Sequence, residues 1–390
     1  MKKIISYRPK IIITAVIAAT AITVCCGHRS NKGSDMGSSN SMSIITLAQR
    51  FSLEKTDSCT ILTITDPWQG AKEITHTYYL LHKNEALVHI SDSSAIIRVP
   101  IKKIICMSTT HIAMVAALGE EDAIAGVSGS GFIYNENISE RIRAGQIYDV
   151  GYEAGLNTEL ILKISPDLIM MYGIGSESAG YLSKINELGI KVMFNADYLE
   201  NDPLAKAEWI KLFGALFCKE EKADSIFRSA CESYEQIRAY ITNNISVKPD
   251  VLLGLPFRDT WFVSPGNSYA SRFIEDAGGS YLWNDTRSLV SMPYSLEDVY
   301  MQALKADYWL NTGSATTKRE ISSLDPRLAN IPCYGLGKVY NNNKRISPSG
   351  GNDYWESGIL YPHRILRDVA AILHPELFPD TELCYYRKLE

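Results

Sequence analysis

Two glycine-rich segments come close to motifs of catalysis or nucleotide binding. Gly126–Gly131 reads GVSGSG, which would match the nucleophile motif G-x-S-x-G if position 130 were Gly, but it is Ser. Gly173–Ser178 reads GIGSES and lacks the last glycine of the dinucleotide-binding pattern G-x-G-x-x-G. No histidine completes a serine-based triad. We therefore predict no catalytic residues, no cofactor and no metal site, and keep an α/β-hydrolase-type enzyme as a less favoured alternative.

The N-terminus has the features of an export signal. The first ten residues include basic side chains but no acidic one. Ile11–Val24 is then an uninterrupted run of apolar and small residues. This run is shorter than the roughly 20 residues that a bilayer-spanning helix needs, and it is typical of a secretory signal. It is followed directly by Cys25 and Cys26, as in a bacterial lipobox. We predict a lipoprotein signal peptide over residues 1–26, with lipidation at Cys26 or, less well matched, Cys25.

Residues 27–43 are rich in Gly, Ser and Asn, a composition that predicts a flexible tether. A lipid anchor followed by a tether predicts an exported domain on the periplasmic side of a membrane. The other cysteines are scattered, so their spacing assigns no disulfide. The 390-residue chain has a net charge of −5, which disfavours nucleic acid as a partner.

The remaining sequence indicates two similar halves. β-branched and aromatic residues over 44–97 predict an appended β segment. Apolar strands then alternate with Gly-stopped helices over 98–201, and again over 246–390, which predicts parallel sheets covered on both faces. Residues 202–245 between them predict a helical connector that starts at Asp202–Pro203. The predicted fold class is thus α/β, with two Rossmann-like lobes joined by a long connecting helix.

Two segments occupy equivalent places in these lobes. Gly155–Gly173 reads GLNTELILKISPDLIMMYG, and Tyr294–Gly313 reads YSLEDVYMQALKADYWLNTG. Each combines a helix start carrying a Glu, an apolar-periodic stretch and a buried strand. Two lobes arranged in this way leave a cleft between them, which is a common place for a ligand.

The chain at this point resembles the substrate-binding proteins of ABC importers for iron chelates, haem and vitamin B12. The resemblance covers residues 98–377 and is carried by HIAMVAALGEEDAIAGVSG, VGYEAGLNTELILKISPDLIMM, FVSPGNSYASRFIEDAGGSYLW and SLEDVYMQALKADYWLN. It implies a non-catalytic protein that captures an iron chelate (siderophore or haem) or a corrinoid in the interlobe cleft. The implied partners are the permease subunits of an ABC transporter. A surface lipoprotein that passes its ligand to an outer-membrane receptor remains the alternative.

In such proteins a Glu on each lobe meets Arg residues of the permease. The resemblance places Glu159 and Glu297 in this role, and a first-turn Glu is also favoured by the helix dipole. Ligand contacts are expected from loops after strands and from helix N-termini on the cleft side. The predicted ligand-binding residues share an aromatic, basic or hydrogen-bonding side chain in such places: Thr110, His111, Tyr134, Tyr152, Arg258, Trp261, Trp283, Tyr354 and Trp355. Thr109, Phe257, Arg287, Lys344 and Arg345 are further candidates.

Overall fold

The computed structural model describes residues 45–85, 95–152, 155–173, 185 and 187–390. The predicted signal peptide, tether and lipidated cysteine lie outside these residues. All the described residues belong to one compact unit. No helix in this part of the chain has the length and apolar character to cross a bilayer. None of its six cysteines forms a disulfide.

The appended β segment forms a four-stranded sheet in the order β1–β2–β3–β4. Its strands are β1 Phe51–Lys55, β2 Thr60–Thr65, β3 Thr75–His82 and β4 Ile96–Val99. The first three are antiparallel, and β4 returns parallel to β3. Leu62 and Ile64 are buried and alternate with the partly exposed Ile61, Thr63 and Thr65, the period-2 pattern expected of a sheet with one buried face. The predicted boundary at residue 97 falls inside β4.

The first lobe contains a parallel sheet in the order β7–β6–β5–β8–β9. Its strands are β5 Ile104–Cys106, β6 Ile124–Val127, β7 Tyr148–Asp149, β8 Leu168–Met171 and β9 Val192–Phe194. The helices described in this lobe are α1 Thr109–Ala117, α2 Glu136–Arg143 and α3 Thr158–Ile164. The Ser108 hydroxyl caps α1 by accepting the Thr110 N–H.

The connector consists of α4 Pro203–Glu208, α5 Ile210–Phe217 and α6 Glu220–Asn244. The Asp202 carboxylate caps α4 by accepting the N–H groups of Leu204 and Ala205, as predicted. Cys218 is in the left-handed conformation (φ 56°) and separates α5 from α6. The 25 residues of α6 contact a hydrophobic core of each lobe: Phe227 belongs to a core that includes β5 and β6 of the first lobe, and Tyr234 belongs to the core of the second lobe.

The second lobe repeats the plan with a sheet in the order β13–β10–β15–β16–β17. Its strands are β10 Asp250–Leu253, β13 Ser280–Tyr281, β15 Tyr308–Leu310, β16 Val339–Asn341 and β17 Arg387–Lys388, of which only β17 is antiparallel to its neighbour. A separate antiparallel sheet joins β11 Pro256–Phe257, β12 Thr260–Val263 and β14 Met292–Ser295. The helices are α7 Tyr269–Asp276, α8 Leu296–Ala303, α9 Lys318–Leu324, α10 Pro332–Gly335 and α11 Pro362–Leu373. The predicted fold class is confirmed.

The first described residues, 45–50, are hydrogen-bonded to the start of the connector. The carboxylate of Glu208 accepts N–H groups from Thr46, Leu47 and Ala48 at 2.7–2.9 Å. Glu200 accepts those of the next two residues at 2.9 and 3.1 Å. Burial raises the pKa of Glu208, but the three backbone donors outweigh it and the net pKa is lowered. The segment 45–50 is therefore held to the connector by two buried carboxylates.

Candidate functional site

A cavity of about 770 Å³ lies between the two lobes. Its size is within the range of ordinary small-molecule pockets, about 300–1,000 Å³. One wall follows strand β6 of the first lobe and continues into α2, and the other is a Ser- and Pro-containing loop of the second lobe. The lining residues are Ser130, Gly131, Tyr134, Glu136, Ser139, Ile142, Arg143, Ile346, Ser347, Pro348 and Ser349. Tyr134 is the one among the nine principal predicted ligand residues that lines this cavity.

Residues 345–357, which we call the clasp segment, join the second lobe to the first beside the cavity. Glu356 accepts the Tyr134 N–H at 2.7 Å and the Asn135 N–H at 2.9 Å, one with each carboxylate oxygen. The Ser347 hydroxyl donates to the Ile133 carbonyl at 3.1 Å. A Cβ on Gly351 would lie 2.3 Å from that same carbonyl oxygen, so this close backbone approach needs glycine.

The clasp segment also touches the Tyr134 side chain. The Arg345 guanidinium lies 5.2 Å from the centre of the Tyr134 ring, within cation–π range. Arg345 is held by Asp353, whose Oδ2 accepts from Nε at 2.6 Å. A charged pair of the second lobe therefore supports an aromatic residue of the first lobe at the cavity wall.

Glu356 has an unusual protonation equilibrium. Burial and, to a smaller extent, the nearby Asp353 charge raise its pKa to about 7, although the two N–H donors act in the opposite direction. The two hydrogen bonds that Glu356 makes to the first lobe therefore require a carboxylate to leave water, which costs free energy.

Large aromatic side chains are exposed on loops that follow strands. Trp355 in the clasp segment is 56% exposed and Tyr152 after β7 is 63% exposed. The Trp355 carbonyl also accepts a hydrogen bond from the Thr109 hydroxyl, at 3.4 Å, at the N-terminus of α1. Phe132 after β6 is 69% exposed, and the sequence analysis missed it. Its position in the Gly- and Ser-rich loop GSGF was the available signal, since such a loop gives a large ring no core to enter.

Two of the three predicted tryptophans of the second lobe, Trp261 and Trp283, are core residues. Trp261 is fully buried, donates its indole N–H to the Leu253 carbonyl at 3.0 Å and stacks on Trp309. Trp283 is buried between Tyr281 and Tyr294. Because these rings are enclosed by their own lobe, we leave them out of the proposed site.

Three further predicted residues point into protein rather than into the cavity. His111 is fully buried against Phe213, and burial lowers its pKa to about 3, so it is a neutral core histidine. The Thr110 hydroxyl bonds to the buried carboxylate of Asp197. Tyr354 is buried, and Trp355 packs on it edge to face.

The predicted cations differ in what they contact. Lys344 and Arg345 pair with acids of their own lobe, Glu382 and Asp353. Arg258 is exposed at the β11–β12 turn with φ 56°, and its guanidinium lies against Phe257. Arg287 donates to backbone carbonyls of its own loop.

Arg143 at the cavity was not predicted. Like Arg258 and Arg287, it forms no ion pair with any carboxylate that the structure describes. It is therefore the cation at the cavity best placed to meet an anionic group.

The two predicted docking glutamates occupy the first turns of equivalent helices. Glu159 lies in α3, which Asn157 caps, and it makes no ion pair with another described residue. Glu297 lies in α8, which Ser295 caps, and its Oε1 accepts from Arg327 at 2.8 Å. This hydrogen bond lowers the pKa of Glu297. Both carboxylates are exposed.

Comparison with known proteins identifies the family. Residues 104–345 match the family described as periplasmic binding protein. An uncharacterized lipoprotein of Methanocaldococcus jannaschii is 28% identical over 348 residues, which cover 83% of this chain and 81% of that protein.

Two solved structures share the fold. A periplasmic haem-binding protein from Pseudomonas aeruginosa aligns with a TM-score of 0.56 at 16% identity, over 74% of this chain and 98% of that one. An ABC-type Fe3+-hydroxamate transport protein from Saccharomonospora viridis gives 0.52 at 17% identity, over 72% and 94%. Since the family match spans more than half of its length, the chain belongs to the periplasmic binding proteins and is a solute-binding protein rather than an enzyme.

Proposed function

We propose that this protein captures an iron chelate (a siderophore or haem) or a corrinoid in the interlobe cavity and delivers it to the permease of an ABC importer. The observation that carries the proposal is the cavity of about 770 Å³, walled by both lobes of a periplasmic binding protein. A ligand held there touches both lobes at once, so its presence can be read by a partner that contacts both.

Exposed aromatic side chains on loops and one cation in the cavity lining support a flat, partly anionic ligand. Phe132, Tyr152 and Trp355 offer exposed ring faces on loops after strands, and aromatic rings give large contact area to planar groups. Arg143 supplies a positive charge at the cavity. The names of the two structural neighbours, one haem-binding and one for ferric hydroxamate transport, agree with this chemistry.

Tryptophan fluorescence tests the ligand class. The mature protein is titrated with haemin, cyanocobalamin, ferrichrome and a ferric catecholate, and we expect one class to change the emission saturably. Trp355 is the exposed reporter, so Trp355→Phe should reduce the change. The buried Trp309→Phe variant serves as the control. Absence of a saturable response to all four probes would count against this function.

We further propose that Glu159 and Glu297 are the contacts with the permease, with lipid anchoring at Cys26 or Cys25 keeping the protein at the membrane. One exposed carboxylate per lobe, each at a helix N-terminus, presents matched negative charges to arginines of a partner. Arg327 forms an exposed ion pair with Glu297, which an arginine of the permease must replace on docking. Breaking an exposed ion pair costs little free energy.

Uptake through the cognate importer tests the docking. The Glu159→Ala, Glu297→Ala double variant should lose most uptake while its probe affinity stays unchanged. Glu187→Ala, Glu382→Ala is the control, because both are exposed acids, one on each lobe. Wild-type uptake by the double variant would instead favour delivery to a receptor without an ABC partner.

A further inference from the structure

We propose that Glu356 is a positioning residue for the ligand site, through which the second lobe fixes the cavity wall formed by the first lobe. One carboxylate then sets the shape of the cavity and the separation of the lobes together. The inference rests on the proposed function in taking the cavity as the ligand site.

Both carboxylate oxygens of Glu356 act as hydrogen-bond acceptors. Its residue is 3% exposed, and each oxygen accepts one backbone N–H from the opposite lobe, from Tyr134 and from Asn135. These two residues directly precede α2, and Asn135 itself caps that helix through Ile138. The carboxylate therefore lies at a helix N-terminus, where the helix dipole favours negative charge.

The two residues that Glu356 binds lie within the stretch of the first lobe that lines the cavity. Ser130 and Gly131 line the cavity before Tyr134, and Glu136 and Arg143 line it after. The carboxylate thus holds the middle of the first-lobe wall.

The opposite wall is part of the same segment as Glu356. Ser347 lines that wall and crosses to the Ile133 carbonyl. Widening the cavity or parting the lobes at this point must break the bonds of Glu356. Ligand contact with Tyr134 is coupled to lobe separation for this reason.

Glu356→Gln is a sharp probe of this role. The side chain keeps its size, but one acceptor oxygen becomes an NH2 group that faces a backbone N–H donor, so one bond is lost and a donor–donor contact replaces it. Glu382→Gln is the matched control, since it makes the same change at an exposed carboxylate of the same lobe. Ser347→Ala removes the interlobe bond to the Ile133 carbonyl, together with the hydroxyl's bonds to Ser349 and the Gly351 N–H within the clasp segment, but leaves both Glu356 bonds intact. It serves as a second variant should Glu356→Gln fail to fold.

The first measurements need no ligand. Hydrogen exchange of a peptide covering 130–138 should be at least tenfold faster in Glu356→Gln than in the wild type and the control, and less strongly accelerated in Ser347→Ala. Solution scattering of Glu356→Gln should give a larger radius of gyration. Unchanged exchange and scattering in both variants would overturn the proposal.

The second measurement uses the probe that the wild type binds among haemin, cyanocobalamin and the ferric chelates. Its Kd should rise at least tenfold in Glu356→Gln, mainly through faster dissociation, and Glu356→Asp, which keeps the charge, should restore part of the affinity. Faster exchange with wild-type affinity would also overturn the proposal. Failure of every probe with the wild type would refute the proposed ligand classes, while the exchange and scattering results would still decide whether Glu356 joins the lobes.

Discussion

Lys206 is a buried charge where the first lobe, the connector and the second lobe meet. Its Nζ donates to the Asp197 carbonyl at 2.9 Å and lies 4.8 Å from the centre of the Tyr269 ring. Burial lowers the pKa of Lys206 to about 8, and the carboxylates of Asp197 and Glu200 offset part of this shift. The folded protein therefore holds this proton less tightly than the unfolded chain does.

Stability should consequently depend on pH above neutrality. Between pH 8 and 10.5 the unfolded chain still binds the Lys206 proton and the folded state does not, so the unfolding free energy contributed by this residue rises with pH. The rise is about 3 kcal/mol from the size of the pKa shift. Lys206→Met should lack it in urea unfolding followed across this pH range.

The comparison must be between slopes, because the substitution also removes the partner of Asp197 and changes stability at every pH. Lys305→Met, at an exposed lysine of the second lobe, is the control and should keep the wild-type slope. Equal slopes for wild type and Lys206→Met would show that Lys206 does not titrate in this window.

A substitution at Gly351 tests how closely the two lobes approach each other at the Ile133 carbonyl oxygen. In Gly351→Ala the new Cβ would meet the Ile133 carbonyl oxygen at 2.3 Å, so one backbone must move. We expect a loss of about 1–3 kcal/mol in urea unfolding. Gly335→Ala has no atom within 4 Å of its Cβ and should change stability little.

At the residue scale, the sequence predicted the types of residue in the site better than it predicted whether each side chain faces the core or the solvent. Alternation along β12 puts Trp261 inward and Phe262 outward, so Phe262 is the exposed ring of the pair. Trp261 was selected as an aromatic residue expected on a loop after a strand, whereas the period of strand β12 selects its neighbour Phe262. Glu356 could not be found from sequence, because its partners lie more than 200 residues away.

Among the elements, strands and helices with strong patterns were predictable. Apolar runs gave β5, β8, β10 and β15, and Asp202–Pro203 gave the start of the connector. The three-stranded sheet of β11, β12 and β14 was not predicted. Its strands β12 and β14 are separated in sequence by the helix Tyr269–Asp276, so their register depends on how the chain folds back after this helix.

The attachment of segment 45–50 to the connector is testable as an element. Glu208→Gln removes an acceptor from a carboxylate that serves three backbone N–H groups, so amide exchange at 46–48 should become at least tenfold faster. Glu221→Gln, at an exposed acid of the same connector, should leave that exchange unchanged. Equal protection in both variants would show that packing alone holds the segment.

For the whole molecule, the connector predicts limited movement between the lobes. Helix α6 contributes Phe227 to a core of the first lobe and Tyr234 to the core of the second lobe, so a hinge within it would disturb the packing of both lobes. We expect the radius of gyration in solution to change little on saturation with a bound probe. A large compaction would contradict this and would place a hinge in the connector.

The overall plan followed from sequence because the two halves repeat the same order of elements. The site did not, because the clasp segment reaches from one lobe to the other, and no local pattern reports such a contact. The segment SPSGGNDYWESG contains two predicted ligand residues, Tyr354 and Trp355, but its Glu and its second Gly make the contacts with the first lobe.

The attachment of residues 45–50 also decides how the molecule bears a mechanical load. Five backbone N–H groups are shared between Glu200 and Glu208, both in or beside the first helix of the connector. A pull on the chain from its N-terminal side is therefore met first by these five hydrogen bonds to Glu200 and Glu208. Because the bonds that join the lobes at the cavity are made by other residues, such a load reaches the connector before it reaches the cavity wall.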